Sequence, residues 1–133
     1  MKPIADRSVF DWITDLGVEL VYTNDLPPHR LGCYLDDERT IKIRPALTLP
    51  LEQETLHHEY VHARHRDRSC HPAIEWRAWR EAARLIVDPL AYARAETMSL
   101  DASFIARELG TTTKIIEAYR KAVLRGEILA QVA

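Results

Sequence analysis

Leu56-His57-His58-Glu59-Tyr60-Val61-His62 places two histidines four residues apart, with a glutamate directly after the first of them. Read as a helix, this stretch stacks His58 and His62 on one face, one turn apart. That geometry suits two cis ligands of a tetrahedral cation with bonds of ~2.0–2.1 Å. Glu59 lies about 100° further round, beside a water held on such a cation. A carboxylate there can take up a proton and pass it on. The competing reading is a solvated helix that happens to carry scattered histidines.

A catalytic cation site needs a third protein ligand and one open position. Set on a wheel at about 100° per residue, positions 73–87 divide cleanly. Ala78, Trp79, Ala82, Ala83, Leu85 and Ile86 share one side, and Arg77, Arg80, Glu81 and Arg84 the other. Glu75 falls on the apolar side, in line with Trp79, Ala82 and Ile86. An ionised carboxylate on a buried stripe is expensive unless it is paired or bound to metal. Glu75 is therefore the expected third ligand; the alternative is a salt bridge to an arginine of another helix. Glu81 sits four residues after Arg77 and reads as a surface pair.

Five of the six histidines fall between positions 57 and 71, a compositional cue for metal. His65 shares the side of His62 and is expected in the pocket wall or just behind the ligands, with direct ligation as the alternative. His57 projects away from His58 and is expected to be exposed. His71 belongs to the loop around Cys70, whose thiolate is a minor alternative ligand. Tyr60, His71 and Tyr92 are unranked candidates for stabilising a developing oxyanion.

Outward from the motif, the N-terminal part reads as a helix over residues 4–16, carrying Ile4, Val9, Phe10, Ile13 and Leu16 and ended by Gly17. A strand over 18–22 follows, and Pro27-Pro28 marks a turn. Residues 31–35 and 40–44 read as two strands joined by Asp36-Asp37-Glu38-Arg39. Ile41 and Ile43 alternate with Thr40, Lys42 and Arg44, the half-buried pattern of an antiparallel or edge strand. Such an edge could pair with an extended peptide. From about residue 51 the chain reads as helix, broken near Ser69–Pro72, Asp88-Pro89, Ser99–Asp101 and Gly110–Thr112.

The expected architecture is one α+β domain over 1–133. Residues 1–50 hold a helix and a small antiparallel or mixed sheet of about three strands, 51–98 the metal-binding helices, and 101–126 a helix-turn-helix-like pair. In that pair Lys114, Arg120 and Lys121 could approach nucleic acid; the favoured reading is a helical hairpin packed on the core. A formal net charge of −2 gives no global footprint for nucleic acid. Two scattered cysteines, Cys33 and Cys70, read as free thiols. Met1–Arg7 does not read as a secretion signal and no apolar run reaches the ~18 residues of a membrane span. A cytoplasmic protein with no membrane association is expected.

The chain resembles the ImmA/IrrE family of small metallopeptidases. The likeness lies in the strand–turn–hairpin start, in Leu56 to His62, and in Glu75-Trp76-Arg77-Ala78-Trp79 followed by Ala82-Ala83-Arg84-Leu85-Ile86. It implies a reduced thermolysin-like zincin core binding Zn2+ through His58, His62 and Glu75, with Glu59 as the catalytic carboxylate. It also implies peptide-bond hydrolysis in a protein partner, a helix-turn-helix repressor of a mobile element, phage or stress response. One position departs from the family pattern: four residues after Glu75, where an Asp or Asn usually orients a ligand histidine, stands Trp79. Asp88 or a backbone carbonyl is the expected substitute. The competing function is a non-hydrolytic regulatory protein that binds a repressor or DNA over a degenerate or structural metal site.

Overall fold

The computed structural model describes residues 7–129. Its element order is α1 (Val9–Asp15), β1 (Glu19–Tyr22), β2 (Gly32–Leu35), β3 (Thr40–Ile43), α2 (Leu49–His65), α3 (Pro72–Ile86), α4 (Pro89–Met98), α5 (Ala102–Leu109) and α6 (Thr113–Leu124). This is an α+β chain with a small three-stranded mixed sheet and helical bulk. The expected start of α1 at Ile4 lies outside the described residues, but Arg7 and Ser8, expected within the helix, precede it, because Ser8 is extended at its cap.

Local chemistry explains most boundaries. The Asp11 carboxylate accepts from the Ser8 N–H at 2.9 Å and fixes the start of α1. Asp88, Asp101 and Thr112 each turn a side-chain oxygen onto a free amide at the start of α4, α5 and α6. Gly110, at φ 70°, closes α5 in the left-handed conformation that glycine adopts without strain.

The strand order is β1-β3-β2, with β1 parallel and β2 antiparallel to β3. Of the two alternatives read for residues 40–44, the antiparallel one holds in the pairing with β2 and the edge one does not: β3 is the central strand, paired on both sides. Thr40, assigned to the outer face with Lys42, is buried. An outer edge belongs instead to β2, which packs against α2.

Two apolar cores meet along α3. The first joins α1, the sheet and α2 through Val9, Ile13, Ile41, Ile43, Leu56 and Val61, and reaches Ala78 on α3. The second joins α3 to the C-terminal helices through Ala82, Ala83, Tyr92, Ile105, Ile116 and Tyr119. Both cores draw on α3 along its length: Ala78 and Leu85 join the first, and Trp76, Trp79, Ala82 and Ala83 join the second. Because α2 is covered on several sides, His57 is buried rather than exposed. Its Nδ1 meets the Gln53 carbonyl at 2.6 Å and its ring stands edge-on to Trp12.

Asp36 ties the sheet to the end of α2. It accepts from the Tyr34 hydroxyl, from Arg66 at 3.0 Å and from Arg68 at 2.8 Å. Arg39 donates to the carbonyls of Leu16 and Ala63, pinning the β2–β3 turn to α1 and α2. The α5–α6 pair packs on the body of the protein. Ile115, Ile116 and Tyr119 are buried, and the Thr112 hydroxyl donates to the buried Glu54 of α2 at 2.8 Å.

Candidate metal centre

A cleft of about 830 Å³ opens between β2 and its preceding loop, α2, the N-terminal half of α3 and the start of α6. His58, Glu59 and His62 reach it from α2, Glu75 and Trp79 from α3, and Lys114 from α6. Helical periodicity does this work: His58 and His62 are one turn apart on α2, and the α2–α3 packing sets Glu75 across from them.

The three donor groups converge. His58 Nε2 lies 3.0 Å from His62 Nε2. Glu75 Oε2 is 3.2 Å from His58 Nε2, and Oε1 is 3.1 Å from His62 Nε2. A tetrahedral cation with bonds of ~2.0–2.1 Å separates its ligand atoms by about 3.3 Å. The observed edges agree with that figure within a few tenths of an ångström. Among the described residues, this is the only group of three or more His, Cys, Asp or Glu side chains close enough to share an ion.

Burial, with help from His62, Lys114 and Arg30, pushes His58 down to about 3. The imidazole is therefore neutral near pH 7, the form a metal ligand requires. Glu59 is pushed up to about 7, chiefly by desolvation, with Glu75 adding and His62, Arg30 and a Tyr34 backbone hydrogen bond opposing. A carboxylate so placed takes and returns protons near neutrality.

Two features lay outside the sequence reading. The first is Asp67, which accepts from His62 Nδ1 at 2.9 Å and is ion-paired with Arg77. Asp88, the expected substitute, instead caps α4. The second is Gly32. A Cβ there would stand 2.7 Å from Thr55 Cγ2 and 3.5 Å from Glu59 Cγ, so β2 approaches α2 this closely only because this residue has no side chain. Trp79 does line the cleft. Its ring lies edge-on to His58, centroids 4.1 Å apart, and Lys114 Nζ stands 4.0 Å over the same indole.

Several expected site residues lie elsewhere. His65 pairs with Glu81 at 2.9 Å in a separate hollow shared with Arg64, because it falls on the α2 face turned to the middle of α3. Glu81 therefore serves Arg64 and His65 more closely than Arg77. His71 caps α3 by accepting from the Ala73 N–H at 3.1 Å. Tyr92 faces Glu96 and Arg120 in the C-terminal layer. Tyr60 packs against Trp12. None of these four lines the cleft. Cys70 stands exposed at its mouth, apart from the three converging donors.

No protein-family model matches the chain, and no curated protein or solved structure is significantly similar to it. The likeness to the ImmA/IrrE family accordingly remains one of sequence motif and spacing, from which Trp79 departs. Among the described residues no helix is long and apolar enough to cross a membrane.

Proposed function

We propose that this chain is a zinc-dependent metalloendopeptidase of the HExxH type, of the ImmA/IrrE kind, acting on a protein substrate in the cytoplasm. The observation that carries this reading is the convergence of His58, His62 and Glu75 at tetrahedral spacing, in the cleft that also holds Glu59. Two imidazoles and a carboxylate with room for a further ligand favour zinc among divalent ions. On the family resemblance, the substrate we propose is a helix-turn-helix repressor.

When bound, zinc would supply Lewis acidity, acidifying water and polarising the scissile carbonyl. His58, His62 and Glu75 would hold it. Glu59 would accept a proton from the attacking water at its carboxylate and deliver it to the leaving nitrogen. The burial that raises the Glu59 carboxyl also makes it a competent proton carrier. The substrate backbone would add to the outer edge of β2, whose Cys33 and Tyr34 line the cleft, taking over the Tyr34 backbone hydrogen bond now made to Glu59. This replaces β3, which has no free edge.

Direct DNA binding is disfavoured by where the basic side chains of the C-terminal pair are engaged. Lys114 stands over Trp79, Lys121 over Trp76, and Arg120 donates to the Tyr92 hydroxyl and the Leu100 carbonyl. The second reading, a non-hydrolytic repressor-binding protein, draws on Trp79 in place of an orienting carboxylate. Glu59→Gln separates the two. The peptidase reading expects the variant to fold, keep its zinc and lose at least ~10²-fold in cleavage of the repressor encoded beside it. Wild-type biological effect from that variant would favour the binding-protein reading.

A further inference from the structure

The two imidazoles on α2 are supported in different ways. His62 Nδ1 faces Asp67 Oδ2 at 2.9 Å, and both side chains are at least nine-tenths buried. Arg77 donates to the other oxygen of the same carboxylate. A carboxylate paired with a guanidinium is an acceptor on both oxygens, so the hydrogen between it and His62 must sit on Nδ1. That leaves the Nε2 lone pair aimed at the point shared by His58 and Glu75. His58 Nδ1, by contrast, is buried with no hydrogen-bond partner among the described residues. Its ring is held by Trp79, with Lys114 on the indole face.

We propose that Asp67, braced by Arg77, is the positioning residue of the metal centre, fixing His62 in the Nδ1–H tautomer and supplying the support that Trp79 cannot. The proposal rests on the metal-site reading. It accounts for how a chain with an indole four residues after its third ligand still orients one of its histidines. The route differs because the chain turns back after α2. Arg66 adopts the left-handed conformation at φ 55°, and the Asp67 N–H returns to the His62 carbonyl at 2.9 Å, which brings the Asp67 side chain beside the ring.

The test begins with metal-free protein labelled with nitrogen-15 in histidine. Long-range proton–nitrogen correlation should show His62 as the Nδ1–H tautomer in wild type and a mixture dominated by Nε2–H in Asp67→Ala. Zinc affinity, measured by competition with a chromogenic chelator, should fall by about 10–100-fold in the same variant. Wild-type His62 carrying its hydrogen on Nε2 would overturn the proposal without any variant. Wild type that takes up zinc, with Asp67→Ala taking it up equally tightly, would overturn the proposal alone. Wild type that takes up no zinc would overturn it together with the metal reading.

Discussion

Glu59 and Glu75 are carboxylates in one cleft, and their surroundings assign them different work. Glu75 is gripped between two imidazole nitrogens, whereas Glu59 is desolvated and raised to about 7. Glu59→Asp would keep the acid but withdraw it by about one bond length. We expect zinc binding to survive and cleavage to fall roughly 10²-fold, as a misplacement near 1 Å does. Unchanged turnover would argue against a proton-carrying role. At this scale the sequence was legible wherever a residue's place followed from helix periodicity, which is why His58, His62 and Glu75 come together as their spacing suggests. Asp67 was not legible, because it follows a left-handed Arg66 and no wheel extends past a helix end. His57 and His65 were misread for a related reason. A wheel with one buried face cannot describe α2, which is covered by α1 and the sheet on one side and by α3 on another.

At the scale of elements, the approach of β2 to α2 decides whether the cleft has its far wall. Gly32→Ala would drive a methyl into Thr55 and force β2 off the helix that carries Glu59. We expect a loss of about 1–3 kcal/mol in denaturant unfolding, and a larger fractional loss of cleavage than of zinc affinity. Equal stability would show that the strand can shift freely. Asp36 fastens the same hairpin to the end of α2. It is lowered from 3.8 to about 2, chiefly by the Tyr34 hydroxyl, with Arg66 and Arg68 adding to that pull. A folded value below the unfolded one means that this stabilisation is fully present above about pH 4 and is lost as pH falls towards 2. Asp36→Asn should therefore lower Tm at pH 6 and flatten its decline between pH 4 and 2; parallel Tm curves would refute the assignment. The strands themselves were legible from alternation and turn residues. Their order was not, since alternation reports which face is buried and says nothing about which neighbour pairs with which edge.

Across the whole molecule, α3 lies between two cores and presents Glu75 to the cleft from its first turn. Ile116, fully buried in the second core, supports the docked α5–α6 pair. Ile116→Ala should cost about 2–5 kcal/mol of stability while leaving the zinc content per folded molecule unchanged. With a net charge of −2 and Lys114, Arg120 and Lys121 engaged within the protein, no salt-sensitive binding to duplex DNA is expected even at low salt. Such binding would revive the recognition-helix reading of α6. The central claim is the three-ligand zinc site, and metal content tests it most directly. Protein purified without an affinity tag and analysed by mass spectrometry should carry about one zinc per chain, and Glu75→Ala should lose it or hold it far more weakly. A wild-type chain that holds no zinc even after zinc is supplied would contradict the account and leave the converging His58, His62 and Glu75 as a metal-free hydrogen-bonded cluster.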